Sequence, residues 1–282
     1  MSLPELENKA NEIRKSIIEM LSLAGSGHPA GALGSTDFWT VLYFGKLIEY
    51  KANDPWWDGR DRVVLSAGHY CPALYAVLAE AKFFPKEELS SLRKINSRVQ
   101  GHPVARCLPG IETSSGPLGQ GGSQAVGMAL SLRMSNQKNR VICFMGDGEQ
   151  DEGQVWEAYM CASKYKLSNL TFVIDRNNIQ IDGHTEDVMP LEPFRYKLES
   201  FGLNVIEIDG HNMEEIANAL NMAKVCFEKP TAIILRTIPG KGVDFMENNY
   251  LWHGKVPGEK ETSEALYDLD KVRTLGGRVR ND

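Results

Sequence analysis

An aspartate between two glycines, Gly146-Asp147-Gly148, and an asparagine pair beginning thirty positions after it, Asn177-Asn178, place two hard side-chain oxygens where they can close on one ligand. Each follows a short apolar run, Val141 to Met145 and Leu170 to Ile174, of the kind that forms buried parallel strands. Between them, Gly153 to Tyr165 carries Val155, Trp156, Tyr159, Met160 and Ala162 at near-helical spacing. A right-handed crossover returns the second strand beside the first, about 4.8 Å away for direct neighbours, so both loops leave the same edge of the sheet. Glycines beside the aspartate let the backbone approach a ligand. Backbone carbonyls and a diphosphate would then complete an octahedral shell around magnesium, or a looser one around calcium. Gly-Asp-Gly and Asn-Asn taken singly are ordinary turn sequences; their strand context and spacing favour the clamp.

Histidines are the next group able to do chemistry. All six have a glycine as immediate neighbour, and His28, His69, His102 and His253 are the four candidates for proton chemistry. Imidazole exchanges protons near neutral pH, whereas a single loop histidine is usually a hydrogen-bonded structural residue. His184 and His211 are assigned to that structural class.

Helix and strand signals alternate along the chain. Helices are predicted near Glu5 to Leu23, Ser35 to Phe44, Tyr70 to Ala81, Gly121 to Met134, Gly153 to Tyr165, Glu192 to Phe201 and Met213 to Phe227. Strands are predicted at Arg62 to Leu65, Val141 to Met145, Leu170 to Ile174, Asn204 to Ile208 and Thr231 to Arg236. This is the pattern of an α/β, doubly wound, mostly parallel sheet with helices on both faces, in which function sits at the carboxyl ends of the strands. One domain is predicted over residues 1–275, with a tail at 276–282.

With 282 residues, 42% of them hydrophobic, the chain can bury a substantial core. A net charge of −6 argues against a general binder of nucleic acid or anionic membranes. The polar N-terminus is no signal peptide, and no run reaches the length of a membrane helix. Five scattered cysteines, Cys71, Cys107, Cys143, Cys161 and Cys226, have no metal-ligand spacing and suit reduced thiols in the cytoplasm.

The segment from Gly146 to Asn178 resembles the thiamine-diphosphate fingerprint, and the surrounding chain resembles the transketolase family. The resemblance extends to Ser26-Gly27-His28-Pro29-Ala30-Gly31, to Ser66-Ala67-Gly68-His69 with Pro72-Ala73-Leu74-Tyr75 behind it, and to Gly101-His102-Pro103. The run Thr113-Ser114-Ser115-Gly116-Pro117-Leu118-Gly119-Gln120-Gly121 and the triplet Trp252-His253-Gly254 complete it, all in the family's order. It covers most of residues 15 to 260 and corresponds to the first half of a transketolase, the diphosphate-binding domain.

The resemblance implies transfer of a two-carbon ketol unit from a ketose or ketose phosphate to an aldose or aldose phosphate, with thiamine diphosphate and Mg2+ or Ca2+. It implies Asp147, Asn177 and the backbone carbonyl of Ile179 as metal ligands. His69, Gly116, Pro117, Leu118, Gly148, Glu152, Asn177, Ile181 and His253 would line the cofactor, although core packing explains the aliphatic Leu118 and Ile181 nearly as well. His28 and His253 correspond to proton-transfer or substrate-hydroxyl contacts, His69 to a diphosphate contact bordering the substrate, and His102 to a contact with the donor's first hydroxyl. Asn178 stands where many transketolases have glycine and suits a left-handed turn.

Glu152 and Glu157 match acidic positions along the family's subunit interface, while a helix start explains Glu152 equally well. Asp151 with Gln154 fits a helix-capping pattern. The partner implied is a C-terminal transketolase subunit that brings the pyrimidine-binding domain and its activating glutamate, in an α2β2 assembly. Two other classes stay open: a subunit of another thiamine-diphosphate enzyme, of deoxyxylulose-phosphate synthase or 2-oxo-acid dehydrogenase type, and a noncatalytic binding subunit.

Overall fold

Alternating side chains on five apolar strands decide the architecture. The computed structural model describes residues 1–274, so the predicted tail at 276–282 lies outside the described residues. The strands are β1 (Arg62–Leu65), β2 (Val141–Gly146), β3 (Leu170–Arg176), β4 (Ile179–Gln180), β5 (Gly183–His184), β6 (Asn204–Asp209) and β7 (Thr231–Arg236). Five form one sheet in the order β1-β2-β3-β7-β6, every neighbour parallel, while β4 and β5 make a short antiparallel hairpin just past β3.

The helices are α1 (Leu3–Ala24), α2 (Pro29–Gly34), α3 (Thr36–Phe44), α4 (Cys71–Glu80), α5 (Gln120–Met134), α6 (Gly153–Lys164), α7 (Thr185–Val188), α8 (Phe194–Ser200), α9 (Met213–Val225) and α10 (Glu259–Thr274). Ile142, Phe144, Val173 and Ile233 face a core shared with α1, α3, α4 and α9. Their alternates Cys143, Met145, Phe172 and Ile234 face a second core under α5, α6 and α8. Both faces are therefore covered, which is why these strands read as continuous apolar runs.

The predicted elements are all present, with shifted ends that have local causes. The helix expected from Glu192 begins at Phe194, because Pro193 is its extended N-cap. The one expected to reach Phe227 ends at Val225, where Cys226 turns extended. At Tyr70 the chain first makes one 3-10 turn, Gly68–Tyr70, and α4 follows with Pro72 in its first turn. The second core takes Val155, Tyr159 and Ala162 from α6 but leaves Met160 60% exposed.

Candidate active site

Register puts the two predicted loops side by side. Gly146 pairs with Asp175, and the next amide, Asp147 N–H, donates to the Asp175 carbonyl at 3.1 Å. Asp147 then starts a 3-10 turn, Gly148–Asp151, accepting from Gly148 N at 2.8 Å through Oδ1. Its Oδ2 accepts from Asn178 N at 2.7 Å, from Arg176 Nη1 at 3.0 Å and from Thr185 Oγ1 at 3.3 Å. Asn177 comes next to it on the neighbouring strand end, and Ile179 N–H donates to Asn177 Oδ1 at 3.0 Å. Asn178 has φ +62°, the left-handed turn anticipated for it.

Asp147 is buried to 1% exposure, and burial pushes its carboxyl up while Arg176 opposes the shift. Besides facing the loops, Asp147 accepts from two buried side chains of the interior, Arg176 and Thr185. The reading of Asp151 needs correction. The N-cap of α6 is Glu152, without a side-chain capping bond, and Asp151 closes the 3-10 turn one residue earlier.

The four candidate histidines converge. Ring centroids of His28 lie 5.2 Å from His69, 6.4 Å from His102 and 5.7 Å from His253, and His69 lies 5.1 Å from His253. Burial lowers all four pKa values. Repulsion from neighbouring imidazoles and from Arg93 adds to burial in taking His28 down to about 4. Neutral imidazoles at pH 7 can accept a proton through one nitrogen and donate through the other. Buried His28 Nδ1, His253 Nδ1 and Ser115 Oγ have no hydrogen-bond partner in the protein, so they are available to a polar ligand.

Close backbone approaches hold these loops together. A Cβ on Gly68 would stand 2.8 Å from Ser115 Oγ and 3.0 Å from His102 Cδ2, which requires glycine there. His69 lies against Tyr70, rings 4.8 Å apart, and Asn177 Nδ2 donates to Tyr70 Oη at 2.8 Å, so the histidine group and the clamp share one wall. Gly116 takes φ +147° beside His102, Pro117 is exposed, and Leu118 is partly buried against the first core. Ile181 is 65% exposed and within reach of Gly254, which removes the core explanation for it. His211 is structural, bonded to Asp37 and to Ile238 N, and exposed His184 packs on the Tyr250 ring.

Several residues of this wall carry no signal in the sequence. Glu149 accepts from Gly119 N at 2.6 Å, from Gly146 N at 3.1 Å and from Ser66 Oγ, tying three loops together. Arg176 reaches from Asp147 to Glu186 and Glu192. Asp175 and Tyr70 flank Asn177. Only their adjacency to the Gly-Asp-Gly, Asn-Asn and Gly-His motifs could have pointed to them.

Comparison with known proteins settles the family. Residues 6–270 match the model of the transketolase thiamine diphosphate binding domain. The chain belongs to the transketolase family. Among transketolase relatives, it is 42% identical to a 6-deoxy-6-sulfo-D-fructose transketolase subunit of a Clostridium strain, over 95% of this chain and 97% of that one. One subunit of the apulose-4-phosphate transketolase of Phocaeicola vulgatus is 38% identical over 96% of each chain. The transketolase structure from Campylobacter jejuni superposes with a TM-score of 0.90 at 33% identity, over 96% of this chain and 43% of that chain. The chain thus spans less than half of that transketolase.

The side chains fit the cofactor that this domain family binds. Among the described residues no group of three or more His, Cys, Asp and Glu could hold a metal ion. No helix among the described residues is long and apolar enough to cross a membrane.

Proposed function

We propose that this chain is the diphosphate-binding subunit of a split transketolase, completed by a C-terminal companion in an α2β2 assembly in the cytoplasm. The convergence of four neutral histidines on the wall that also carries Asp147 and Asn177 is the observation behind this reading. In it, Asp147, Asn177 and the Ile179 carbonyl hold Mg2+ or Ca2+, and His69, Gly116, Pro117, Leu118, Gly148, Glu152, Ile181 and His253 line thiamine diphosphate. When bound, the cofactor supplies a nucleophilic carbon that cleaves a ketose carbon–carbon bond.

The chain's own residues orient the sugar and move its protons. His28 and His253, each with an unpartnered buried Nδ1, are placed to take and return protons at sugar hydroxyls. His102, the exposed member, contacts the donor's first hydroxyl. The relatives that match over nearly their whole length are named as subunits, which supports a companion. Exposed Met160 on α6 and a cavity of about 580 Å³ between α6 and α8, lined by Trp156, Met189, Tyr196 and Phe201, offer apolar surface for it.

The donor and acceptor are sugars or sugar phosphates, and an assay of the assembled enzyme across ketose and aldose panels tests this. Two-carbon transfer that requires thiamine diphosphate is the expected result. Turnover of 2-oxo acids with no transfer between sugars would instead favour another thiamine-diphosphate enzyme.

A further inference from the structure

The orientation of one amide in the clamp is fixed from outside the ligand. Asn177 Nδ2 donates to Asp175 Oδ2 at 2.9 Å and to Tyr70 Oη at 2.8 Å, while Tyr70 Oη itself donates to Asp175 Oδ2 at 2.7 Å. Asp175 Oδ1 accepts from Thr237 Oγ1 at 2.5 Å. All of these groups are buried: Asp175 is 0% exposed, Tyr70 2% and Asn177 3%. An amide has two N–H donors, and both are consumed in this triangle; its oxygen takes one bond, from Ile179 N, and keeps one lone pair. Reversing the amide would set its N–H2 against the Ile179 N–H and leave its oxygen facing the Asp175 carboxylate. Two independent partners therefore select the same orientation.

We propose that Asp175 and Tyr70 are the positioning residues that turn the oxygen of Asn177, and not its nitrogen, toward the metal ion of the diphosphate site. The inference rests on the reading of Asn177 as a metal ligand. Gly31 belongs to the same device, since a Cβ there would stand 2.5 Å from Tyr70 Cζ and displace the ring that carries the hydroxyl. Partners outside the coordination shell commonly change metal affinity about 10- to 100-fold when removed, because they orient the ligand atom.

Mg2+ is titrated calorimetrically into the full chain assembled with its companion at saturating thiamine diphosphate. Asp175→Asn, which presents an N–H2 to the triangle and invites the Asn177 amide to turn, is expected to weaken Mg2+ binding by about 10-fold or more. Tyr70→Phe should weaken it less and in the same direction. Thr237→Val removes a bond to the other Asp175 oxygen and should leave Mg2+ affinity within about twofold even if the urea midpoint falls. If Asn177→Ala keeps wild-type Mg2+ affinity, the metal-ligand reading fails and takes the inference with it. If Asn177→Ala loses affinity while Asp175→Asn and Tyr70→Phe do not, the inference alone is overturned. Should Asp175→Asn not fold, Tyr70→Phe against Thr237→Val decides.

Discussion

Arg176 Nη1 and Asp147 Oδ2 stand 3.0 Å apart at the ends of adjacent parallel strands, with side-chain exposures of 1% and 2%. The pair places a buried cation against the carboxylate of the candidate clamp. Removing one partner of a buried ion pair leaves an uncompensated charge, a loss of roughly 3 to 5 kcal/mol. Arg176→Met is therefore expected to lower the stability of the chain without ligands by about that amount, read from urea unfolding.

Cofactor retention should depend on both clamp side chains. Asp147→Ala and Asn177→Ala are expected to abolish Mg2+-dependent binding of thiamine diphosphate in the assembled enzyme, measured calorimetrically. Asp147→Ala should also destabilise the fold more than Asn177→Ala, because it strands the buried Arg176 guanidinium. Unchanged cofactor affinity in Asp147→Ala would remove it from the metal shell.

The histidines divide by position. His102→Ala is expected to raise KM for the donor and lower kcat with cofactor affinity little changed, since His102 lies at the exposed end of the group. His69→Ala, buried beside Tyr70, should weaken cofactor and substrate together. Steady-state kinetics with parallel cofactor titrations separate the two patterns.

Stability should carry the mark of the lowered imidazole pKa values. His28 binds its proton at about 4 in the folded chain, against 6.5 for an unperturbed histidine. Between those values the unfolded chain binds more protons, so this group makes stability fall as pH drops from 6.5 toward 4. Buried Asp175, raised to about 7, acts with the opposite sign, so the comparison must be made against a variant. Urea midpoints of wild type should fall more steeply on acidification than those of His28→Asn.

The sheet was legible because strands buried on both faces leave unbroken apolar runs, as at Val141–Met145 and Leu170–Ile174. The meeting of the Asp147 and Asn177 loops and the convergence of His28, His69, His102 and His253 were legible from strand context and motif order. Tyr70 and Asp175 were not. Tyr70 reads as a helix start and Asp175 as the polar end of a strand, and only folding brings residues 105 positions apart to a 2.7 Å contact. Glu149 escaped notice for the same reason, since its partners Ser66 and Gly119 lie on other loops. Asp151 was misread because a 3-10 turn inside the motif shifts the start of α6 by one residue.

The claim that this chain supplies the diphosphate half of a divided transketolase site is tested most directly by ketol transfer with and without its companion. Purified alone at saturating thiamine diphosphate and Mg2+, the chain is predicted to give no transfer between a ketose phosphate and an aldose phosphate, and mixing with the companion is predicted to restore it. Robust turnover by the isolated, contaminant-free chain would contradict the account.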